Sequence, residues 1–268
     1  MISLKEVQKP RPTENFVDRV SERWQPPSFR PPGSFGYRAI AVSRRLVDLQ
    51  AASLWRDLQV ALGSAQGDVL DVGAGAQPYR CLLEGPGVRY RAIDIASARE
   101  RFGYHTPDTE YFRGDVWPVA DASIDLVLAT ETLEHVRVPA TFLAEARRVL
   151  RRGGRLVVTV PFSARWHYVP DDYWRFTPSS LRDLFEDAGF ADVVVQPRGN
   201  ELTVACSKVV ALVLAWVLPS RQERSAALRL LAFMGVPLAG LLVPLAHLSL
   251  RGRGGDDCLG WTATATAA

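Results

Sequence analysis

Cysteine is scarce in this chain, with three residues in 268: Cys81, Cys206 and Cys258. The count is odd and no C-x-x-C spacing occurs. The count and spacing argue against a disulfide framework and a structural zinc site, and reduced thiols are expected. A concentrated basic stripe is missing as well. The net charge is only +3 and the arginines are spread out, so no nucleic-acid partner is expected. The opening residues "MISLKEVQKPRPTENF" have no apolar run after their charges, which argues against a secretory leader and for a cytoplasmic location. What the chain does have is apolar material: 47% hydrophobic against 23% charged residues, enough for a full core.

Residues 1–36 are proline-rich, as in "QPPSFRPPGSFG", and read as an extended arm. Residues 37–62 keep helical apolar spacing and predict one helix. Strand and helix patterns then alternate. "GDVLDVG", "VRYRAIDIA", "TEYFRGDV", "SIDLVLAT", "RLVVTVPF" and "ADVVVQP" predict six strands. "PATFLAEARRVLRRGG" and "TPSSLRDLFEDAGF" predict helices, the second with Thr or Ser at its cap and Gly189 at its end. "CLGWTATATAA" alternates like a closing strand. This order predicts an α/β fold: a doubly wound, mostly parallel seven-stranded sheet with helices on both faces. An apolar helical hairpin is inserted before the last strand. The expected parts are an arm and helix over 1–66, a core over 67–198, the hairpin over 199–251 and the closing strand over 252–268.

The segment "DVLDVGAGAQPY" (68–79) carries the first chemical signal. A dinucleotide fingerprint needs G-x-G-x-x-G. Gly73 and Gly75 fit it, but the third position is Pro78, which argues against a nicotinamide enzyme. Asp71 before the glycines would sit poorly beside a pyrophosphate and suits a cationic or zwitterionic ligand. The segments "VLDVGAGAQPY", "YRAIDIA", "FRGDVWPVADASIDLVLATETLEHV", "RRVLRRGGRLVVTVPF" and "LRDLFEDAGF" follow in order. Over residues 67–198 the chain thereby resembles the class I S-adenosylmethionine (SAM)-dependent methyltransferases. A departure is Gln77, where the family often has a third glycine.

The resemblance implies SAM as cofactor and S-adenosylhomocysteine as product. It implies a cofactor site of Asp71, Gly73, Gly75, Asp94 with neighbouring Ile95, Asp115, Val116 and Thr130. Asp94 would accept the ribose hydroxyls, Asp115 would lie near the adenine amino group, and Thr130 would end the fourth strand beside the methyl group. Methyl transfer mainly requires an aligned nucleophile, and an alcohol acceptor benefits from a base. His135, His167 and Asp171 lie just past the fourth and fifth strands, where open α/β sheets place ligands, and are the candidate catalytic residues. Trp166, Tyr168, Tyr173, Trp174 and Phe176 around them could stack on a sugar or ring. "ETLEH" also resembles the metal-binding segment of the small-RNA 2′-O-methyltransferases and the ubiquinone-biosynthesis O-methyltransferases. That likeness would make Glu131, Glu134 and His135 ligands, with His167 a fourth. Metal-free methyltransferases also carry an L-E-H segment, so the metal assignment stays open and a metal-free site is favoured.

Two apolar windows, 202–218 and 230–246, follow the sixth strand. Their length is at the lower edge for spanning a bilayer, and Arg221 and Arg224 between them argue against a span. A hairpin lying at the cytosolic membrane surface, or buried against the domain or a second subunit, is expected instead. The predicted activity is methyl transfer to a nucleophilic atom, favoured as a hydroxyl, of a small molecule or glycan, with a lipid-linked acceptor in view. The rival reading is a non-catalytic SAM-fold subunit acting through the hairpin.

Overall fold

The computed structural model describes residues 42–102, 106–168, 170–217 and 226–268. The proline-rich arm, the start of the predicted first helix, His105, Arg221 and Arg224 lie outside the described residues.

The helix expected over 37–62 is divided. Residues 42–47 are helical, Asp48 is extended, and α1 (Leu49–Leu62) follows. The break is local chemistry: the Asp48 carboxylate accepts hydrogen bonds from the Gln50 and Ala51 backbone N–H groups, an N-cap that starts a new helix. Leu58 and Leu62 then pack with Val69, Leu126 and Leu128 on one face of the sheet.

The strands are β1 (Gly67–Val72), β2 (Val88–Ile95), β3 (Thr109–Phe112), β4 (Ile124–Thr130), β5 (Leu150–Pro161), β6 (Phe190–Pro197) and β7 (Gly260–Ala267). They form one seven-stranded sheet in the order β3-β2-β1-β4-β5-β7-β6. The sheet is mixed. β1 pairs with β2 and β4 in parallel, as do β2 with β3 and β4 with β5. The predicted parallel character stops at β7, which runs antiparallel between β5 and β6. Helices α2 (Ala96–Phe102), α3 (Pro139–Val149) and α4 (Pro178–Asp187) fill the connections. A capping box between Thr177 and Ser180 starts α4, and Gly189 at φ 84° follows its end. Phe142, Leu143, Leu181 and Phe185 of these helices are buried in the main core with Leu156, Val158 and Trp261.

One element differs from its pattern. The helix predicted over residues 139–154 stops at Val149, and β5 already begins at Leu150. Leu150 is buried and pairs with Ile124 of β4, while Arg151 bridges Asp68 and Asp125. These tertiary contacts override the helical spacing of "ARRVLRR".

The apolar windows form α5 (Glu201–Val217) and α6 (Ala226–Ser249), which pack together. Their near ends are core: Val204, Cys206, Ala246 and Leu250 cluster with Leu49 and Leu259. Farther along α6, Phe233, Met234, Leu238 and Leu241 are exposed, and Leu248 is exposed at the near end itself. Pro237 and Pro244 lie inside α6 without ending it. Among the described residues, no helix is long and apolar enough to cross a membrane.

Candidate functional site

The strand order reverses between β1 and β4, and the crevice at such a switch point is where open α/β sheets bind ligands. β1 enters it through Asp71, and the chain then turns on Gly73 and Gly75, both with positive φ. A side chain at Gly73 would collide with Thr132, just past β4. The glycine is therefore required by close packing of the β1 and β4 loops. Gln77 stands in the left-handed region at φ 52°, buried, with its amide nitrogen donating to Thr109. It adopts the backbone conformation that a glycine would supply.

Two buried acids flank this turn. Asp71 accepts a 2.7 Å hydrogen bond from the Tyr90 hydroxyl, while its Oδ1 is buried with no hydrogen-bond partner among the described residues. Burial pushes the Asp71 carboxyl up to about 7 against the opposing Tyr90 bond. Asp94, at the end of β2, accepts from Gly75 N at 2.9 Å and Ile95 N at 2.8 Å. Burial raises it to about 6, with those two bonds opposing. Asp94 thus clamps the glycine loop to β2, and Ile95 is exposed beside it. Two buried carboxylates, one with an unpartnered oxygen, fit a cationic or zwitterionic ligand. Asp115 and Val116 lie exposed on the loop after β3. Thr130 ends β4, half-buried.

Past β4 the backbone kinks. Glu131 has φ 49° and donates its N–H to Thr159 O of β5. Its carboxylate accepts a 2.8 Å bond from Arg198, at the end of β6. Arg198 is 0% exposed and also donates to Val160 O. Sequence reasoning missed this pair. Its only signal was a charged residue directly after a strand end, in "QPRGN".

A 3₁₀ turn, Leu133–His135, then brings Glu134 and His135 against the loop after β5. Glu134 is 0% exposed and neither carboxylate oxygen has a hydrogen-bond partner among the described residues. Burial, followed by the neighbouring Glu131 charge, holds its carboxyl well above the usual range. His135 Nδ1 bonds the Asp171 carbonyl at 2.7 Å, and its Nε2 is 3.6 Å from Glu134 Oε1, too far for a hydrogen bond. Burial depresses His135 to about 4, so the ring is neutral at neutral pH. The His135 and His167 rings meet edge to face, 5.0 Å between centroids.

The predicted catalytic residues thus come together, with a changed role for Asp171. Asp171 meets His135 through its backbone carbonyl, and its carboxylate accepts from the Tyr173 hydroxyl. The carboxylate that organises the loop is the neighbouring Asp172, bonded to His167 and Arg175. Burial pushes Asp172 upward, but Arg175 and His167 outweigh it and hold the carboxyl far below the usual range. Trp174 stacks on Phe176, which is buried.

A family model describing a methyltransferase domain matches residues 70–158. The chain is 31% identical over 193 residues to the O-methyltransferase cnsE of Penicillium expansum, covering 64% of this chain and 69% of that protein. It is 34% identical over 126 residues to a demethylmenaquinone methyltransferase of Renibacterium salmoninarum, covering 44% of this chain and 52% of the relative. The match spans about half the length of several of its curated relatives. Among solved structures, a SAM-dependent methyltransferase from Archaeoglobus fulgidus superposes with a TM-score of 0.51 at 13% identity. That overlap covers 84% of this chain and 98% of the other.

Proposed function

Because the chain belongs to the class I SAM-dependent methyltransferase family, with SAM as its cofactor, we propose that it methylates a hydroxyl oxygen of a small molecule or glycan. The observation that carries this reading is the pairing of two half-sites across the switch point. One holds buried acids around a glycine turn, and the other holds the neutral His135 ring against His167 beside an aromatic loop.

Bound SAM supplies an electrophilic methyl group on a sulfonium and carries away the electrons of the broken C–S bond. The chain's residues do the rest. In this reading Asp94 binds the ribose while holding the loop, and Asp71 lends negative charge to the cationic end. Gly73 and Gly75 let the backbone approach, Asp115 and Val116 flank the adenine, and Thr130 lies near the methyl position. The aromatic loop with Trp174 orients the acceptor and excludes water. His135 or His167 takes the hydroxyl proton, with Asp171 placing His135 through its carbonyl.

The exposed apolar residues of α6 and the nearby exposed Arg251 and Arg253 support a peripheral seat on a membrane surface. Such a seat suits a lipid-linked acceptor. The deciding experiment follows labelled methyl from SAM into cell extract separated into lipid and aqueous fractions. Label in an alkali-stable ether of the lipid fraction is the expected result. SAM bound with no label transferred anywhere would favour a non-catalytic binding subunit.

A further inference from the structure

A carboxylate sealed from water normally acquires a partner, because an unpaired buried charge is costly. Glu134 has lost its solvent, and among the described residues neither of its oxygens has a hydrogen-bond partner. Nor, among them, does His135 Nε2. One ligand atom from each of Glu134, His135 and His167 lies within 4.8 Å of the other two. Three inward-facing donors surround one point, and two of them are orphaned.

The far side of each ring is tied down. His135 Nδ1 engages the Asp171 carbonyl at 2.7 Å, so that nitrogen carries the proton and Nε2 presents a lone pair. His167 Nδ1 lies 3.0 Å from Asp172 Oδ2 and 3.1 Å from the Arg165 carbonyl, which selects the same tautomer. Rings fixed this way by carbonyls and carboxylates are how proteins hold metal-binding imidazoles. Glu131 is not in the cluster, and its carboxylate instead accepts from Arg198. The donor set therefore differs from the one the E-x-x-E-H spacing suggests.

We propose that Glu134, His135 and His167 bind one divalent transition-metal cation of the zinc or manganese class. Two imidazoles and one carboxylate form a three-ligand set with room for exogenous oxygen. Magnesium, which favours all-oxygen surroundings, fits it poorly. The binding claim stands on this geometry alone. Its use rests on the methyltransferase reading and replaces the imidazole base there, because the cation would occupy Nε2 of both rings: an acceptor hydroxyl on the cation would release its proton to solvent more readily. The oxygen would then form the new C–O bond while the C–S bond breaks toward sulfur.

The test uses the full chain, stripped with a chelator and titrated with zinc or manganese chloride against a chromophoric competitor. Wild type should bind one equivalent. Glu134→Gln and His167→Ala should each weaken binding by more than about 100-fold, beyond the roughly 10–100-fold of a group one shell removed. Glu131→Gln should bind like wild type. SAM affinity, measured in parallel, reports an intact fold, and His167→Gln substitutes if His167→Ala is insoluble. Wild type that binds only weakly and non-stoichiometrically, or variants that bind as it does, would overturn the site. Metal binding without methyl transfer would sink the methyltransferase reading alone. Methyl transfer by metal-free protein with no metal uptake would sink the site alone.

Discussion

The two acids at the glycine turn make opposite pH predictions for binding and for folding. If Asp94 holds the ribose hydroxyls as proposed, it accepts both best when ionised, and burial places its titration at about 6. SAM affinity should therefore fall as pH drops through that value, approaching tenfold per pH unit below it. Calorimetry at pH 5, 6 and 7.5 reads this directly. Asp94→Asn should bind more weakly and show a flatter profile, and an equally steep variant profile would clear Asp94 of the role. Asp71 governs stability. Its value in the ligand-free fold is about 7, against 3.8 ordinarily, so the folded chain retains a proton that the unfolded chain gives up. Stability from this group is full below about 4 and declines as pH rises toward 7. Asp71→Asn removes the decline, and at pH 8 the ligand-free variant should be more stable on the order of 2–4 kcal/mol, at roughly 1.4 kcal/mol per pH unit. Urea titrations of both proteins at pH 5 and 8 would show it, and equal midpoints at pH 8 would count against a strained Asp71.

At the scale of elements, the packed pair α5 and α6 has two ends with different physics. Leu250 belongs to the cluster with Val204, Ala246, Leu49 and Leu259, so Leu250→Ala should cost about 2–4 kcal/mol of stability. Leu241, 73% exposed on α6, should accept Ser with no change in melting temperature. If α6 seats on a membrane, the same substitution, combined with Met234→Ser, should reduce sedimentation with anionic liposomes. Unchanged sedimentation would remove the membrane seat while leaving the fold assignment intact. The unbroken apolar length of "LTVACSKVVALVLAWVL" announced the helix but could not say which end is buried. That is decided by Leu49 and Leu259, which are remote in sequence. The same limit explains β5. "ARRVLRR" reads as helix because nothing local reveals that Leu150 will find Ile124. Local chemistry was readable where it sufficed, as in the Thr177–Ser180 capping box and the turn at Gly73 and Gly75.

For the whole molecule, the legible part of the site was its position and the illegible part was its pairing. Strand ends are visible in sequence, so Asp71, Asp94, His135 and His167 could be placed toward the carboxyl ends of their strands. Which atom faces which depends on loops folding against one another. That is why Asp171 contributes a carbonyl in place of a carboxylate, and why Arg198 reaches Glu131 across β5 and β7. The hairpin division also gives a prediction at this scale. Val213 and Gly235 face each other across the two helices. Replacing residues 214–234 with a short Gly/Ser turn should leave SAM affinity and melting temperature near those of wild type. Replacing residues 203–250 should lower the melting temperature sharply, because Leu49 and Leu259 lose their cover. Calorimetric melting of both deletions separates the two, and equal stability would show that the near ends contribute nothing.

The placement of β7 between β5 and β6 also sets an order of events during synthesis. β6 leaves the ribosome before the helical pair and β7 after it, yet among the described residues β6 has no sheet neighbour except β7. For the time needed to translate the hairpin, both β5 and β6 expose unpaired edges, and an apolar helical pair emerges beside them. Open strand edges are templates for association with other chains, and long-range pairings close slowly. The nascent chain is thus most vulnerable while the hairpin emerges, before the alternating "WTATATA" stretch closes both edges at once.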